Sequence, residues 1–452
     1  MQILRRNFLK GLAAITAANT VPRLSLMNAY AQAATDYKAL VCVFLYGGND
    51  GNNMVVPVQT AEYNVYATAR GTGTGGIALA QSSLVPLTQA SGTRFGLHAN
   101  LAPLQQIWTK GDLALLLNVG PLIQPVTRAQ YRASGSVRPQ NLFSHDDQQE
   151  EWQTAVSNTT STIGWGGRVA DRVAGMNGAS GVPMNISVTG NDVFLVGQSA
   201  VPFSVPTSGN FGLQGFNNSA QSTARTNAMQ QLFGLDRDKI QVRAAGDVIS
   251  RAVNASTALN TIINNASSAA AAAFNGLNTG LSRQLLAIAK LIEGRNQLGL
   301  QRQIFFASQG GYDTHQNQIQ DQGSRFSELG PALLAFYNAM TALGALDQVA
   351  LFTLSDFSRT LQVNDGGSDH AWGNNHLILG GTVKGGTTYG TFPNQALGGS
   401  DDTDTAGRWI PTTAVDQYVA TLAKWFGVAD ADIPAVVPNL GRFATSNLGF
   451  MA

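Results

Sequence analysis

Carboxylates and imidazoles in this sequence gather just after short apolar runs. Residues 40–46 lead into Gly47-Gly48-Asn49-Asp50, and 303–307 into Gly310-Gly311-Tyr312-Asp313-Thr314-His315. Residues 349–354 lead into Ser355-Asp356-Phe357-Ser358-Arg359, and Asp369-His370 precedes a run that begins at His376. In open α/β sheets ligands bind beyond the carboxyl ends of the strands, so these turns are expected to share one rim. Asp50, Asp313, His315, Asp356 and His370 brought together would repel and desolvate one another unless a cation sat between them. A bound divalent metal is the economical expectation. Asp356 reads equally as a helix cap or as a partner of Arg359.

A second element is Phe143-Ser144-His145-Asp146-Asp147-Gln148-Gln149. Ser144 stands before a helical stretch with acidic and amide residues in its first turn, the pattern of an N-cap. A hydroxyl at a helix start is also where a nucleophile or an anionic ligand is favoured by free N–H groups and the dipole. Both readings of Ser144 stay open on sequence grounds.

The elements that must carry these residues alternate. Runs of strand length fall at 40–45, 113–119, 184–188, 303–307, 349–354 and 376–379, and helical spacing at 101–108, 146–156, 224–233, 281–292, 326–343 and 413–426. Strand alternating with helix predicts a mostly parallel sheet covered on both faces, an α/β/α sandwich. One main domain is expected over 34–452, with insertions near 190–280 and 380–407. Residues 253–280, rich in Ala, Ser and Asn, read as a weakly packed helix or part of an insertion.

The chain of 452 residues carries 28 Lys plus Arg and 27 Asp plus Glu, a net charge of +1, which gives no argument for a nucleic-acid partner. Its single cysteine, Cys42, lies in an apolar run and excludes a disulfide framework or a Cys-based metal site. At the start, Arg5-Arg6-Asn7-Phe8-Leu9-Lys10 precedes an apolar stretch over 11–21 and small residues at Ala29-Tyr30-Ala31 and Ala31-Gln32-Ala33. This reads as a twin-arginine export signal over 1–33, the alternative being an uncleaved anchor. Cleavage would remove Arg5, Arg6, Lys10 and Arg23, leaving 28 − 4 = 24 bases against 27 acids. The apolar stretch falls short of the roughly 20 residues a spanning helix needs, and no later segment reaches that length, so no membrane span is expected in the mature chain. Gly71-Thr72-Gly73-Thr74-Gly75-Gly76 lacks the strand context of a dinucleotide loop. No Gly-x-Ser-x-Gly elbow, Gly-Lys-Ser/Thr loop or His-Glu-x-x-His helix occurs.

The twin-arginine head, Leu45-Tyr46-Gly47-Gly48-Asn49-Asp50-Gly51-Asn52, Leu97-His98, Phe143-Ser144-His145-Asp146, Gly311-Tyr312-Asp313-Thr314-His315, Ser355-Asp356-Phe357-Ser358-Arg359-Thr360 and Asp369-His370 together resemble the exported family called domain of unknown function 1501. That family resembles a branch of the alkaline-phosphatase and sulfatase superfamily, whose members fold as an α/β/α sandwich and hydrolyse phosphate or sulfate esters at one or two divalent metals. The resemblance implies Asp50 as ligand of one metal, Ser144 as nucleophile, Asp313, His315 and His370 as ligands of the other, and Asp356 as the aspartate of an Asp-His pair. Phe357 stands where that pair's His would be, so one ligand is missing. The resemblance further implies a catalytic set of Ser144, His145 as acid or orienting group, and Arg359 holding a non-bridging oxygen.

Two function classes follow. One is a periplasmic or secreted metal-dependent hydrolase of small anionic esters, delivered by the twin-arginine export machinery. The other is an exported binding or assembly protein that keeps the fold with a degenerate metal site. An oxidoreductase finds no cofactor fingerprint. Two histidines with three aspartates suit zinc, manganese, calcium or magnesium, as one or two ions.

Overall fold

A computed structural model describes residues 36–133, 135–178, 180–212 and 219–452; the signal expected over 1–33 lies outside them. The described strands, in chain order, are β1 (Lys38–Leu45), β2 (Val55–Pro57), β3 (Val85–Gln89), β4 (Gly92–Leu97), β5 (Leu113–Gly120), β6 (Asn185–Ser187), β7 (Phe203–Ser204), β8 (Arg302–Gln309), β9 (Val349–Ser355), β10 (Asn374–Leu379), β11 (Thr387–Gly390) and β12 (Thr413–Ala414). The main sheet runs β11-β5-β10-β9-β1-β8-β6-β7, with β12 paired to β5. Every pairing in it is parallel except those of β10, which runs against β5 and β9. The fold is therefore α/β with a mostly parallel central sheet.

β1 lies in the middle of the sheet and is apolar and buried from Ala39 to Leu45, as a strand covered on both faces must be. Its alternate residues divide between two cores. Val41, Val43 and Leu45 pack with Leu285, Ile288 and Ile292 of the helix Gly280–Glu293 and with Leu329, Leu333 and Phe336 of the helix Gln318–Ala342. Leu40, Cys42 and Phe44 face the opposite layer, with Val169 and Val173 of the helix Trp165–Val173 and Val419 and Leu422 of the helix Val415–Phe426. Period two in the strand and roughly 3.6 in the helices thus bury one stripe of each element. A separate antiparallel sheet, β2-β4-β3, stands beside the main one.

Strand direction positions the functional turns. β1, β8 and β9 are mutually parallel, so 46–50, 310–315 and 356–360 leave the sheet at the same rim. β10 is antiparallel to β9, so its first residue, and His370 shortly before it, lies at that rim too. β5 is antiparallel to β10, so its end faces the same way, and the chain after it leads to Ser144 and His145 at the start of the helix His145–Thr154.

The 190–280 region contains β7, the helix Ala220–Phe233 and the helix Ile240–Ile263; the 380–407 region contains β11 on the sheet edge and is otherwise irregular. No helix among the described residues is long and apolar enough to cross a membrane.

Candidate metal centre

Two glycines let the first loop close on the others. Gly47 has φ +108°, and a Cβ there would meet the Asp313 backbone N at 2.5 Å; Gly48 has φ +78°, and its Cβ would strike the Phe357 ring at 2.4 Å. Neither position accepts a side chain without displacing these groups. Gly367 likewise lets 367–370 pass against the His315 carbonyl, where a Cβ would come within 2.2 Å.

These approaches assemble one polar group at the rim. His145, Asp313 and His370 each offer a ligand atom, all within 4.8 Å of one another. His145 Nε2 lies 3.4 Å from Asp313 Oδ1, and His370 Nε2 3.5 Å from it. His315 joins from its exposed side, with Nε2 3.1 Å from Asp313 Oδ1 and 3.0 Å from His370 Nε2.

The outer nitrogens of the three rings are each tied down. His370 Nδ1 donates to the Phe143 carbonyl at 2.8 Å, which leaves Nε2 as the lone-pair nitrogen. His145 Nδ1 sits 2.7 Å from Asp356 Oδ2, so it carries the proton and its Nε2 also points a lone pair inward. That Nε2 is buried and has no hydrogen-bond partner among the described residues. His315 Nδ1 lies 3.3 Å from Asp369 Oδ1. His370 Nε2 faces His315 Nε2, which also lies 3.5 Å from Arg359 Nη1, so His145 is the ring whose outer nitrogen is held by a carboxylate while its second is free, the arrangement that orients metal-binding histidines. For Zn–N bonds of about 2.05 Å, ligand atoms at the corners of a tetrahedron stand about 3.3 Å apart. The separations of 3.0, 3.1, 3.4 and 3.5 Å around Asp313 and His370 lie near that edge, while the ligand atoms of His145, Asp313 and His370 spread over as much as 4.8 Å. The residues present fit a cation.

Electrostatics favour the ligand-ready form of Asp313 and His370 and oppose it at His145. Burial works to raise the Asp313 carboxyl, but the Arg359 guanidinium bonded to it and the neighbouring His145 and His315 hold it at about 2. His370 is lowered by burial and by the charges of Arg359, His145 and His315, so it is neutral near pH 7. The hydrogen bond to Asp356 raises His145, against its partial burial.

Several residues expected from sequence sit elsewhere in this arrangement. Asp356 is fully buried and faces the group through His145, while also accepting from Gln149 Nε2 at 2.8 Å and from Gly47 N at 3.1 Å. Its oxygens are taken by these donors and by His145, whose ring it holds in place. The imidazole beside Asp356 comes from another element, as His145, and Phe357 packs its ring 4.8 Å from His145 and 4.6 Å from His370. Asp50 is fully buried and paired to Arg70 through both carboxylate oxygens, with Gln318 on the same carboxylate. It caps the short helix Gly51–Met54 by accepting from Asn52 N at 3.0 Å. With both of its oxygens on Arg70, Asp50 stands outside the group of His145, Asp313 and His370.

Arg359 does not present an open fork. Its side chain has no exposure; Nε donates to Gly48 O at 3.0 Å, Nη1 to Ser368 O at 3.0 Å, and Nη2 to Gly47 O and Asp313. It braces three loops and one ligand, and has no donor pair left for an anion. Ser144 occupies the N-cap position without capping: its Oγ donates to Asp147 Oδ2 at 2.6 Å. That hydrogen bond, with one from Asn141, lowers the Asp147 pKa. The preceding Phe143 has φ +78°, a costly conformation for an aromatic residue, and it is this turn that aims its carbonyl at His370. Asp369, behind His315, is the site residue that sequence reasoning passed over; its place beside His370 in the chain was the available signal.

The sequence model of the family described as "Protein of unknown function (DUF1501)" matches residues 37–406, and the chain belongs to that family. No curated protein matches it in sequence. Among solved structures it is similar to Ps i-CgsB in complex with k-i-k-neocarrahexaose, at 9% identity over 90% of this chain and 77% of that one, TM-score 0.34. It is also similar to a mutant of the alkaline phosphatase PafA, at 11% identity over 73% and 64% of the two chains, TM-score 0.30. A third is PsFucS1 sulfatase from Pseudoalteromonas sp., at 10% identity over 91% and 72%, TM-score 0.31. At such identities no residue role is carried across.

Proposed function

We propose that this protein is a divalent-metal-dependent hydrolase of phosphate or sulfate esters that works outside the cytoplasm after twin-arginine export. The observation that carries the reading is the unpartnered, buried Nε2 of His145, aimed at Asp313 and His370 with its other nitrogen held by Asp356. His145, Asp313, His315 and His370 would hold one ion. Three imidazoles and one carboxylate suit zinc better than calcium or magnesium, which take oxygen ligands. A cation there would supply Lewis-acid charge to an ester oxygen.

The chain's own groups supply the rest. Ser144, one residue before His145, donates its hydroxyl to Asp147, whose lowered pKa keeps it an ionised acceptor that fixes the orientation of the hydroxyl. The helix His145–Thr154 points its N-terminal end at the site, where developing negative charge is favoured. Asp356 and Phe357 hold the His145 ring against rotation.

A second reading, a binding or assembly protein with one structural cation, is favoured by Arg359, whose donors are all consumed within the protein. A panel of aryl and alkyl phosphate and sulfate monoesters separates the two. The hydrolase reading expects turnover of at least one class, lost in an Asp313→Ala variant; flat rates across the panel with metal bound would leave only the second.

A further inference from the structure

We propose that the cavity walled by residues 138–143 binds an anionic group of the substrate remote from the reacting ester, so that the substrate is a polyanion, a multiply sulfated or phosphorylated polyol. The proposal rests on the hydrolase reading above for the word substrate; the cavity as an anion site stands on its own geometry.

The cavity measures about 850 Å³ and carries two guanidinium groups, Arg138 and Arg442, with Tyr131 and Phe143 as aromatic flanks. No carboxylate is among the described residues that line it. Arg138 is fixed in place: its guanidinium lies 4.3 Å from the Tyr131 ring centroid and its Nε donates to the Tyr131 carbonyl at 2.7 Å. Arg442 is exposed, with Nη1 3.2 Å from the Ile123 carbonyl. Ser157 also lines the cavity; the residue is fully buried, and its Oγ has no hydrogen-bond partner among the described residues. Two guanidiniums with no carboxylate among the described lining residues match the charge of a tetrahedral oxyanion; the Nε and Nη2 of Arg138 are both held by the Tyr131 carbonyl, which fixes its orientation.

The same segment that walls the cavity supports the metal group. The Phe143 carbonyl holds His370, and Asn141 Nδ2 donates to Asp147, the partner of Ser144. From Phe143 to His145 the chain can span at most about 7 Å, so a molecule seated in the cavity ends within reach of the rim. An ester at the metal group and a second anion between Arg138 and Arg442 would then belong to one molecule.

The test is calorimetric binding of sucrose octasulfate and of inositol hexakisphosphate, the two probes distinguishing a sulfated from a phosphorylated ligand. The wild-type protein is expected to bind one of them, and Arg442→Gln to weaken that binding at least tenfold. Asn158→Asp, which places a carboxylate at the cavity mouth, should weaken it as much. Arg172→Gln, on the helix Trp165–Val173, should leave it unchanged, and Asp313→Ala, stripped of the metal group, should retain it. Equal binding by wild type and Arg442→Gln, or no binding of either probe by wild type, overturns the proposal. Metal content and aryl-ester turnover of the same wild-type preparation judge the hydrolase reading separately. A protein that holds metal and cleaves small esters but ignores both probes loses the cavity alone; Arg442-dependent binding without metal keeps the cavity and loses the hydrolase.

Discussion

The Nδ1 of His145 lies 2.7 Å from Oδ2 of Asp356, a carboxylate with no solvent exposure. This one contact ties the helix His145–Thr154 to the end of β9 and turns the imidazole so that its second nitrogen faces Asp313. Asp356 thereby acts on the metal group through another residue.

Asp356→Asn should keep the fold and lower metal affinity about 10- to 100-fold, the usual cost of losing the group behind a ligating histidine. Chelator competition on wild type and variant reads this directly. An unchanged affinity would detach Asp356 from the site.

Asp313→Ala should abolish stoichiometric metal binding while leaving the thermal midpoint within a few degrees, because the Asp313 side chain is half exposed. The variant strands one bond of Arg359, for which roughly 1–3 kcal/mol is the ordinary cost. A collapsed midpoint with metal retained would reverse the assignment of this carboxylate from ligand to strut.

Metal affinity should fall in mild acid. The Asp356 hydrogen bond raises the His145 pKa above its ordinary 6.5, so the empty site takes up a proton on His145 as pH drops through and below the neutral range. A cation needs that nitrogen bare, so the two compete and the dissociation constant climbs as pH falls. A constant affinity between pH 8 and pH 6 would argue against His145 as a ligand.

Asp416, in the first turn of the helix Val415–Phe426, is fully buried, with the backbone N–H groups of Asp416 and Asn439 as its hydrogen-bond donors. Burial pushes it from the ordinary 3.8 up to about 7, against the pull of Arg168 and Arg442. A raised acid favours folding below the unfolded value and loses that contribution as pH rises toward the folded one, by up to about 4 kcal/mol. Asp416→Asn should therefore flatten the decline in thermal midpoint between pH 4 and pH 7. Parallel curves for wild type and variant would contradict the shift.

Replacing Arg5 and Arg6 together with Lys should hold the precursor inside the cell, measured as the ratio of exported to retained protein. Undiminished export would remove the twin-arginine reading of the first residues.

Much of the rim was readable because buried parallel strands are unbroken apolar runs, and the polar residues just after them can only lie at their carboxyl ends. That argument finds Asp313 and His315, and also Asp50, since nothing local distinguishes a carboxylate awaiting a cation from one neutralised by Arg70 twenty positions on. His145 was legible as a site residue but not as a ligand, because its partner Asp356 is more than two hundred residues away. The reversed direction of β10 has no local signature, although it is what returns His370 to the rim. The small sheet β2-β4-β3 escaped because Pro86 and Gly96 break the alternation that marks strands, and Trp165 reads as part of a helical pattern whose bounds Gly166 and Gly167 obscure. Those glycines are required by packing: a Cβ at Gly167 would come within 2.0 Å of the Val196 carbonyl.

The most direct test of the metal centre is elemental analysis with X-ray absorption at the edge of the metal found, on protein exported through its own signal and purified without chelator. We predict about one equivalent of a single divalent metal, with imidazole scattering from three histidines and first-shell distances of about 2.0–2.1 Å. A folded, exported protein with no stoichiometric metal, or with a metal lacking imidazole in its first shell, would contradict the account.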